Sequence, residues 1–321
     1  MSNERLSLLV ITGPTGVGKT SLAMGLADEA PLGLISADSV MVYQGLDIGS
    51  AKPLPAELER YPHALVDLVP PEQKFDAGQF VQHARESIVG CIESGRIPCL
   101  VGGTILYLKA LLDGLDDMPG SDPIIRANIR SEASKSGWPA VHSWLDRLDP
   151  LAAKEIHPNH SSRIERALEV VLLTGQSIRA HWKTSARPLE LDGKPVDIRI
   201  LVLLPEDRTV LKTALDQRFE QMIKQGLLGE VVELKKRPGL TEDCSSIRSV
   251  GYRQVWQYLD GRVDYQTMCD QAKAATRQLA KRQLTWLRSW RSSTNTFIEV
   301  ANSIPIESGR RWLGESLTHV L

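Results

Sequence analysis

The residues best suited to chemistry lie near the start of the chain, in the segment GPTGVGKT from Gly13 to Thr20. This segment fits the pattern G-x-x-x-x-G-K-S/T, follows a short apolar run and opens a run with helical spacing. Its glycines allow backbone N–H groups to curl around anionic oxygens, and the helix N-terminus adds partial positive charge. Lys19 would pair with terminal phosphate oxygens, and the Thr20 hydroxyl is suited to bind Mg²⁺. The segment therefore predicts a phosphate site, with Thr20 as a metal ligand. We call residues 13–20 the phosphate loop.

The loop alone does not determine the reaction, because a diphosphate or triphosphate binds there whether a P–O or a C–O bond is broken. A second candidate is Asp38, near the end of the apolar run 33–39. If that run is a strand of an open α/β sheet, Asp38 lies at the edge where ligands bind. Three roles fit this carboxylate: a helix N-cap, a ligand of Mg²⁺, or a general base.

Two absences favour the role of general base for Asp38. The apolar run 97–104 ends in Gly-Gly-Thr, with no Asp or Glu where a Walker-B carboxylate usually stands. The chain also has no N-K-x-D tetrapeptide of the kind that reads guanine. Asp38 is therefore the best-placed carboxylate opposite the phosphate loop.

Short apolar runs alternate with helical patterns, which is typical of a parallel sheet covered by helices on both faces. Between residues 116 and 194 the patterns are helical only, and the last third is predicted to be mainly helical as well. We therefore predict an α/β fold like that of P-loop NTPases, interrupted by an all-helical insertion domain. The strands are expected at 6–12, 33–39, 97–104 and 196–204. The expected domains are 1–116 (catalytic core, first part), 117–195 (insertion) and 196–321 (core, second part, with C-terminal helices).

The composition is that of an ordinary globular protein. Of the 321 residues, 42% are hydrophobic and 24% are charged, and the formal net charge is -1, so only local basic patches could attract nucleic acid. The four cysteines form no C-x-x-C pair, which is typical of reduced thiols. We find neither a signal peptide nor an apolar run of membrane-spanning length, and we expect a cytoplasmic protein without a membrane segment.

One local basic stretch is present, because residues 271–291 contain six Lys and Arg and no acidic residue. Lys273, Arg277 and Lys281 are spaced i, i+4, i+8 and would share one face of a helix. Such a stripe is either an ordinary solvated face or a surface for the phosphates of a nucleic acid. The residues alone leave both interpretations open.

Several blocks together resemble a known family, the tRNA dimethylallyltransferases, also called tRNA isopentenyltransferases or IPP transferases. The resemblance runs from the N-terminus to about residue 290, in the order and spacing typical of that family. It implies transfer of a dimethylallyl group from dimethylallyl diphosphate to N6 of the adenosine 3′ of the anticodon, in tRNAs that read codons beginning with U. The blocks are ITGPTGVGKTSLA, ISADSVMVYQGLDIGSAKP, VGGTILYLKALLDGL, NHSSRIERALEV, QRFEQMIKQGLLGEV and SIRSVGYRQ.

The resemblance also assigns roles to individual residues. It implies that Asp38 is the catalytic base, that Lys19 and Thr20 act on the diphosphate with Mg²⁺, and that Arg218 helps to hold this group. Ser249 is a mild departure, since relatives often have cysteine there. The diphosphate-binding residues implied are Gly13, Pro14, Thr15, Gly16, Val17, Gly18, Lys19, Thr20 and Arg218. The tRNA-binding residues implied are Asp38, Ser39, Val40, Met41, Thr104, Arg126, Asn159, His160, Ser161, Ser162, Arg163, Arg248, Ser249, Val250, Gly251, Tyr252 and Arg253, with the stripe residues Lys273, Arg277 and Lys281.

The implied reaction agrees with the chemistry of these residues. Adenine N6 is a poor nucleophile, so a base that removes its proton is useful, and the phosphate loop can stabilise a departing diphosphate. The expected partners are therefore the anticodon stem-loop of tRNA and dimethylallyl diphosphate, bound by a monomer. The alternatives are a P-loop small-molecule kinase that uses ATP and a non-enzymatic protein that is either RNA-binding or a nucleotide-gated regulator. A role for His157 and His160 stays open, because their spacing suggests metal ligands but no third ligand is apparent.

Overall fold

The computed structural model describes residues 6–114, 118–182, 189–191, 193–290, 297–302 and 306–318. It divides the chain into two compact units. The first unit combines Met1–Asp113 with Pro188–Leu321, and the second is Gly114–Arg187. The second unit is thus an insertion into the first.

The first unit is built on one predominantly parallel sheet. Its strands are β1 (Leu6–Thr12), β2 (Leu32–Ser36), β3 (His63–Ala64), β4 (Ile97–Gly102), β5 (Glu190–Leu191), β6 (Lys194–Leu204) and β7 (Phe297–Asn302). The parallel strands lie in the order β3-β2-β4-β1-β6, with β7 on the other side of β6. Only the two-residue β5 is antiparallel, to the start of β6. The predicted α/β fold is confirmed.

Helices follow or precede nearly every strand. In the first part of the chain they are α1 (Lys19–Ala27), α2 (Pro55–Arg60), α3 (Ala77–Glu93) and α4 (Ile105–Leu112). In the insertion they are α5 (Pro123–Ser136), α6 (Trp138–Leu148), α7 (Pro150–Glu155), α8 (Ser161–Thr174) and α9 (Ile178–His181). After β6 they are α10 (Arg208–Gln225), α11 (Leu227–Lys235), α12 (Tyr252–Leu259), α13 (Tyr265–Trp290) and α14 (Ile306–Thr318).

The central strand β1 explains why helices must cover both faces of the sheet. Successive side chains of a strand point to opposite faces, and Leu8, Leu9, Val10 and Ile11 are all fully buried. Leu8 and Val10 pack in one core cluster, which includes residues of α3, and Leu9 and Ile11 pack in the other, which includes residues of α1 and α14. A continuous apolar run of this kind is typical of a parallel strand buried on both sides.

The insertion has a hydrophobic core of its own. Ile129 of α5, Leu145 of α6 and Leu168 of α8 are all completely buried in it. The buried Asp149 caps α7 through the Ala152 N–H and accepts a hydrogen bond from the Ser177 hydroxyl at 2.7 Å. The residues described between 118 and 182 contain helices but no strand.

The described part of the last third is mainly helical, as predicted, and contains in addition β7, which pairs in parallel with β6 over six residues. One sequence expectation differs from the structure. The helical tract was expected up to residue 195, whereas the hairpin of β5 and β6 within that range belongs to the first unit. In both places a short strand gains its hydrogen bonds from β6, and that pairing partner cannot be read from local sequence. No helix in the described part of the chain is long and apolar enough to cross a membrane.

Candidate active site

The phosphate loop occupies the position that its sequence predicts. β1 ends at Thr12, α1 begins at Lys19, and the glycine-rich loop joins them. Gly18 precedes α1 with a φ of 92°, a left-handed conformation that a residue with a side chain adopts only with strain. Because β2 and β1 both run parallel to β4, the carboxyl ends of the three strands meet at this edge of the sheet.

Lys19 lies folded against the loop that precedes it. Its Nζ donates a hydrogen bond to the carbonyl oxygen of Pro14 at 2.8 Å. Burial of the ammonium group lowers the pKa of Lys19 to about 8, while the Asp38 carboxylate opposes this shift and the Arg218 guanidinium adds to it. Lys19 is therefore close enough to Asp38 and Arg218 for their charges to change its pKa.

Asp38 lies two residues beyond β2, in a turn. Its Oδ1 accepts hydrogen bonds from the backbone N–H groups of Val40 at 2.8 Å and Met41 at 3.3 Å. No described residue donates a hydrogen bond to Oδ2. One carboxylate oxygen thus fixes the turn, and the other has no hydrogen-bond donor among the described residues. The N-cap role considered for Asp38 is replaced by this turn, since no helix begins at residues 38–41.

A cavity of about 100 Å³ brings Asp38 together with residues from four other segments. Thr15 of the phosphate loop and Arg218 of α10 line it, as do Val250, Gly251 and Thr276. Burial lowers the pKa of Arg218, and the Asp38 carboxylate opposes that shift. Among the described residues that line the cavity, Arg218 is the one cation and Asp38 the one carboxylate. Lys19 lies outside the lining but close enough to both for their charges to act on its pKa, and this second cation favours an anionic ligand nearby.

Gln283 of α13 contacts the phosphate loop, and sequence reasoning did not select it. Its Oε1 accepts a hydrogen bond from the Thr15 N–H at 2.9 Å, and its Nε2 donates one to the Gly103 carbonyl oxygen at 2.8 Å. The dipeptide Arg-Gln occurs twice in this helix, at 277–278 and 282–283. Nothing in the local sequence distinguishes the glutamine that reaches the loop.

Thr104 also lies beside Asp38. Its Oγ1 accepts a hydrogen bond from the Ser39 N–H at 3.0 Å and donates one to the Ser39 hydroxyl at 3.3 Å. The turn that carries Asp38 is therefore attached to the loop after β4.

The insertion holds Arg126 and the block 159–163 of the predicted tRNA contacts. Arg126 donates two hydrogen bonds to the fully buried Glu169, at 2.7 and 2.8 Å. Arg166 binds the same carboxylate. The pKa of Glu169 is lowered, because hydrogen bonds from both arginines outweigh the burial that raises it. Asn159, His160, Ser162 and Arg163 are exposed at the start of α8, and Ser161 is partly exposed.

Tyr252 requires a correction among the predicted tRNA contacts. Its side chain has no exposed surface, and its hydroxyl donates a hydrogen bond to Glu230 at 2.5 Å. The same carboxylate accepts hydrogen bonds from the N–H groups of residues 47–49. A buried ring cannot contact RNA in this conformation, so Tyr252 supports the cavity wall instead. The neighbouring Arg248 and Arg253 are exposed.

The basic stripe on α13 is less free than its sequence suggests. Lys273 binds Glu220 at 2.7 Å, and Arg277 binds Asp216 at 2.6 Å, both across the contact with α10. Lys281 is exposed and forms no ion pair with a described residue. It lines a crevice with Arg208, Lys212, Arg277 and Arg288 around an apolar floor.

Of the two histidines His157 and His160, the first has a local explanation. His157 Nδ1 accepts a hydrogen bond from the Asn159 N–H at 3.2 Å, within a turn that leads into α8. In the part of the chain that the structure describes, no three His, Cys, Asp or Glu side chains form a metal centre.

A strand, a glycine-rich loop and a helix that begins with the partly buried Lys19 define a P-loop α/β protein. Asp38 and Thr15 of this loop line the same cavity. The model of the IPP transferase family matches residues 41–290. A curated relative, tRNA dimethylallyltransferase 2 of Hahella chejuensis, is 47% identical over 291 residues, 88% of each chain. The chain belongs to the IPP transferase family.

Solved structures of similar proteins extend over nearly the whole chain. The full-length tRNA isopentenylpyrophosphate transferase of Bacillus halodurans is 32% identical, with a TM-score of 0.67 and 98% coverage of both chains. The tRNA delta(2)-isopentenylpyrophosphate transferase of Staphylococcus epidermidis is 27% identical, with a TM-score of 0.67 over 98% of this chain and 100% of that one. The fold of the two units is thus the fold of this family.

Proposed function

We propose that this protein transfers a dimethylallyl group from dimethylallyl diphosphate to N6 of the adenosine 3′ of the anticodon, in tRNAs that read codons beginning with U. The products are N6-isopentenyladenosine and diphosphate. The observation that carries the proposal is the cavity that Asp38 lines together with Thr15 of the phosphate loop and with Arg218, in a member of the IPP transferase family. A single chain supplies all of these groups, so we propose that the monomer is active.

The phosphate loop would hold the diphosphate as the leaving group. When the C–O bond breaks, negative charge grows on the bridging oxygen. Lys19, Arg218 and the N–H groups of the loop are placed to stabilise that charge. The Lys19 ammonium would exchange its present bond to the Pro14 carbonyl for one to a phosphate oxygen.

Asp38 would accept the proton of the attacking amino group. The adenine has to leave the stacked anticodon loop to reach it, which costs about a few kcal/mol for a base that is already unpaired. The backbone N–H groups of Val40 and Met41 hold Oδ1, so Oδ2 keeps a fixed direction while N6 attacks the allylic carbon. The proton passes to Asp38, and the electron pair of the C–O bond leaves with the diphosphate.

Mg²⁺ fits the donor set at this loop. The Thr20 hydroxyl is a hard oxygen ligand with no hydrogen-bond partner among the described residues, and Mg²⁺ commonly uses few protein ligands together with substrate phosphates and water. Bound there, the ion would neutralise charge on the diphosphate. We assign Thr20 as its protein ligand.

The insertion and α13 would bind the tRNA. Asn159 to Arg163 present exposed polar groups and one cation at the start of α8, and Arg126 is held in place by Glu169. On the first unit, the exposed Arg248, Arg253 and Lys281 are the predicted contacts best available to phosphates.

Lys281 and Lys273 form a matched pair for testing the tRNA surface. Lys281→Ala is expected to weaken tRNA binding about three- to tenfold and to reduce its salt slope by about one, since an unpaired cation is lost. Lys273→Ala is expected to have a smaller effect, because Glu220 already balances that charge. The measurement is the tRNA dissociation constant over a range of salt concentrations. An unchanged dissociation constant and salt slope in Lys281→Ala would contradict an RNA contact through Lys281.

The low pKa of Lys19 gives the phosphate site a pH dependence. The ammonium binds the anion only while it is protonated, so affinity is retained below a pKa of about 8 and lost as pH rises through it. Between pH 7.5 and 9 we expect the affinity for inorganic diphosphate to fall about fivefold or more. Titration calorimetry measures this, and Lys19→Met controls for ionisation of the ligand itself. An identical pH dependence in that variant would contradict the prediction.

One transfer assay tests the proposed function. Unmodified tRNA is incubated with Mg²⁺ and dimethylallyl diphosphate labelled in the prenyl group, and the tRNA is digested to nucleosides. Label in N6-isopentenyladenosine is the expected result. A tRNA without label, together with turnover of ATP on a small acceptor, would favour the P-loop kinase instead.

A further inference from the structure

Gln283 links two loops whose relative position matters for the proposed reaction. Its side-chain amide accepts from the Thr15 N–H at 2.9 Å and donates to the Gly103 carbonyl at 2.8 Å. Thr15 belongs to the phosphate loop, and Gly103 belongs to the turn after β4. Thr15, Gly103 and Gln283 come from distant parts of the chain. Thr15 and Gly103 take part through backbone groups, and Gln283 takes part through its side chain.

The second loop leads directly to Asp38. Thr104 follows Gly103, and its hydroxyl accepts the hydrogen bond of the Ser39 N–H at 3.0 Å. The Thr104 N–H in turn donates to the Ala37 carbonyl at 3.2 Å. Gln283 thus bonds directly to the diphosphate loop and, through the Gly103-Thr104 segment, to the turn that holds the base.

The packing around Gly103 leaves no room for a side chain at this position. A Cβ atom there would lie 2.7 Å from Gln283 Nε2, 3.1 Å from the Gly13 carbonyl oxygen and 3.4 Å from Lys19 Nζ. Only glycine allows the two loops and the amide to approach so closely. The glutamine amide is also the only common neutral group of this length that both accepts and donates, so an apolar side chain of the same size would break both bonds.

We propose that Gln283 is a positioning residue, which fixes the distance between the phosphate loop and the turn that carries Asp38. This inference rests on the proposed prenyl transfer. The attacking nitrogen is oriented by Asp38 and the leaving group by the phosphate loop, so a shift between the loops misaligns the two ends of the displacement. A misplacement of about 1 Å can reduce a rate about 100-fold without loss of binding.

Gln283→Met tests the proposal, because methionine keeps the length and lacks both hydrogen-bonding groups. We expect kcat to fall about 10- to 100-fold. The KM for tRNA and the dissociation constant for inorganic diphosphate should stay within about threefold, and the shape of the pH–rate profile should be unchanged. Gln278→Met is the matched control, since Gln278 is exposed on the same helix and forms no hydrogen bond with a described residue. Gln278→Met should have the same kcat, KM for tRNA and dissociation constant for diphosphate as the unchanged protein.

Amide hydrogen exchange supplies a second readout that does not depend on activity. In Gln283→Met, exchange at Thr15 and in residues 103–104 should accelerate at least about tenfold, while the melting temperature stays within about 2 °C. An unchanged kcat with unchanged exchange overturns the proposal. So does a fall in kcat that is matched by a fall in melting temperature, or a gain in diphosphate affinity, which would make Gln283 a competitor of the ligand. If the unchanged protein transfers no prenyl group, the proposed function fails, and the exchange data alone decide whether Gln283 holds the loops.

Discussion

Asp38→Asn is expected to lower kcat by at least about 100-fold while tRNA affinity stays within about twofold. The amide keeps an oxygen that can accept from the Val40 and Met41 N–H groups, so the turn retains its hydrogen bonds. It cannot accept the proton of N6 at neutral pH. The loss of kcat in Asp38→Asn therefore reports on proton transfer and not on the position of the turn. Single-turnover rates with saturating tRNA, together with a direct binding measurement, provide the comparison.

The control for Asp38 is Asp67→Asn, a carboxylate in the same unit that pairs with Lys52 outside the cavity around Asp38. It should leave the transfer rate nearly unchanged. A variant at Asp38 that transfers at the normal rate but binds tRNA poorly would identify a recognition residue and remove the base from the mechanism.

Lys19→Met is expected to reduce kcat/KM for dimethylallyl diphosphate by about 100- to 1,000-fold. The ammonium is the cation of the phosphate loop and is partly buried, and methionine fills a similar volume without charge. Because negative charge increases on the leaving diphosphate as the C–O bond breaks, part of the loss should fall on kcat and not only on KM. Steady-state kinetics with varied diphosphate substrate separate the two.

Lys236→Met serves as the matched change for Lys19, since Lys236 is an exposed lysine paired with Glu233. It should leave both kinetic constants within about twofold. A raised KM with a normal kcat in the Lys19 variant would mean that this group binds only the ground state, contrary to its proposed role.

The sequence was sufficient to predict the part of the site that is local along the chain. The loop from Gly13 to Thr20 carries its own conformational requirements, so its pattern predicts the backbone shape that joins β1 to α1. The phosphate ligand that the same pattern indicates stays a prediction. Asp38 could be selected because it follows an apolar strand, and strand ends at the same edge of a parallel sheet converge. The core strand β1 was equally clear, since a buried parallel strand is apolar throughout.

The sequence could not predict contacts between side chains and segments that lie far apart along the chain. Gln283 reaches Thr15 across 268 residues, and no local signal separates it from the exposed Gln278. The family resemblance of its block predicts that Tyr252 contacts tRNA, yet the side chain is buried and its hydroxyl donates a hydrogen bond to Glu230. The cations of the α13 stripe were predicted correctly to share a helix, but their partners Asp216 and Glu220 lie on α10.

The central claim is that the phosphate loop holds a leaving group, so that the bond broken is carbon to oxygen. Dimethylallyl diphosphate with ¹⁸O in the bridging position tests this directly. The protein is incubated with this substrate, unmodified tRNA and Mg²⁺, and the released phosphate species are weighed by mass spectrometry. We predict diphosphate that retains the ¹⁸O, together with prenylated tRNA free of it. Release of ¹⁸O in dimethylallyl alcohol, or transfer of an unlabelled phosphoryl group to an acceptor while the ¹⁸O stays bonded to the dimethylallyl carbon, would show cleavage at phosphorus and contradict the account.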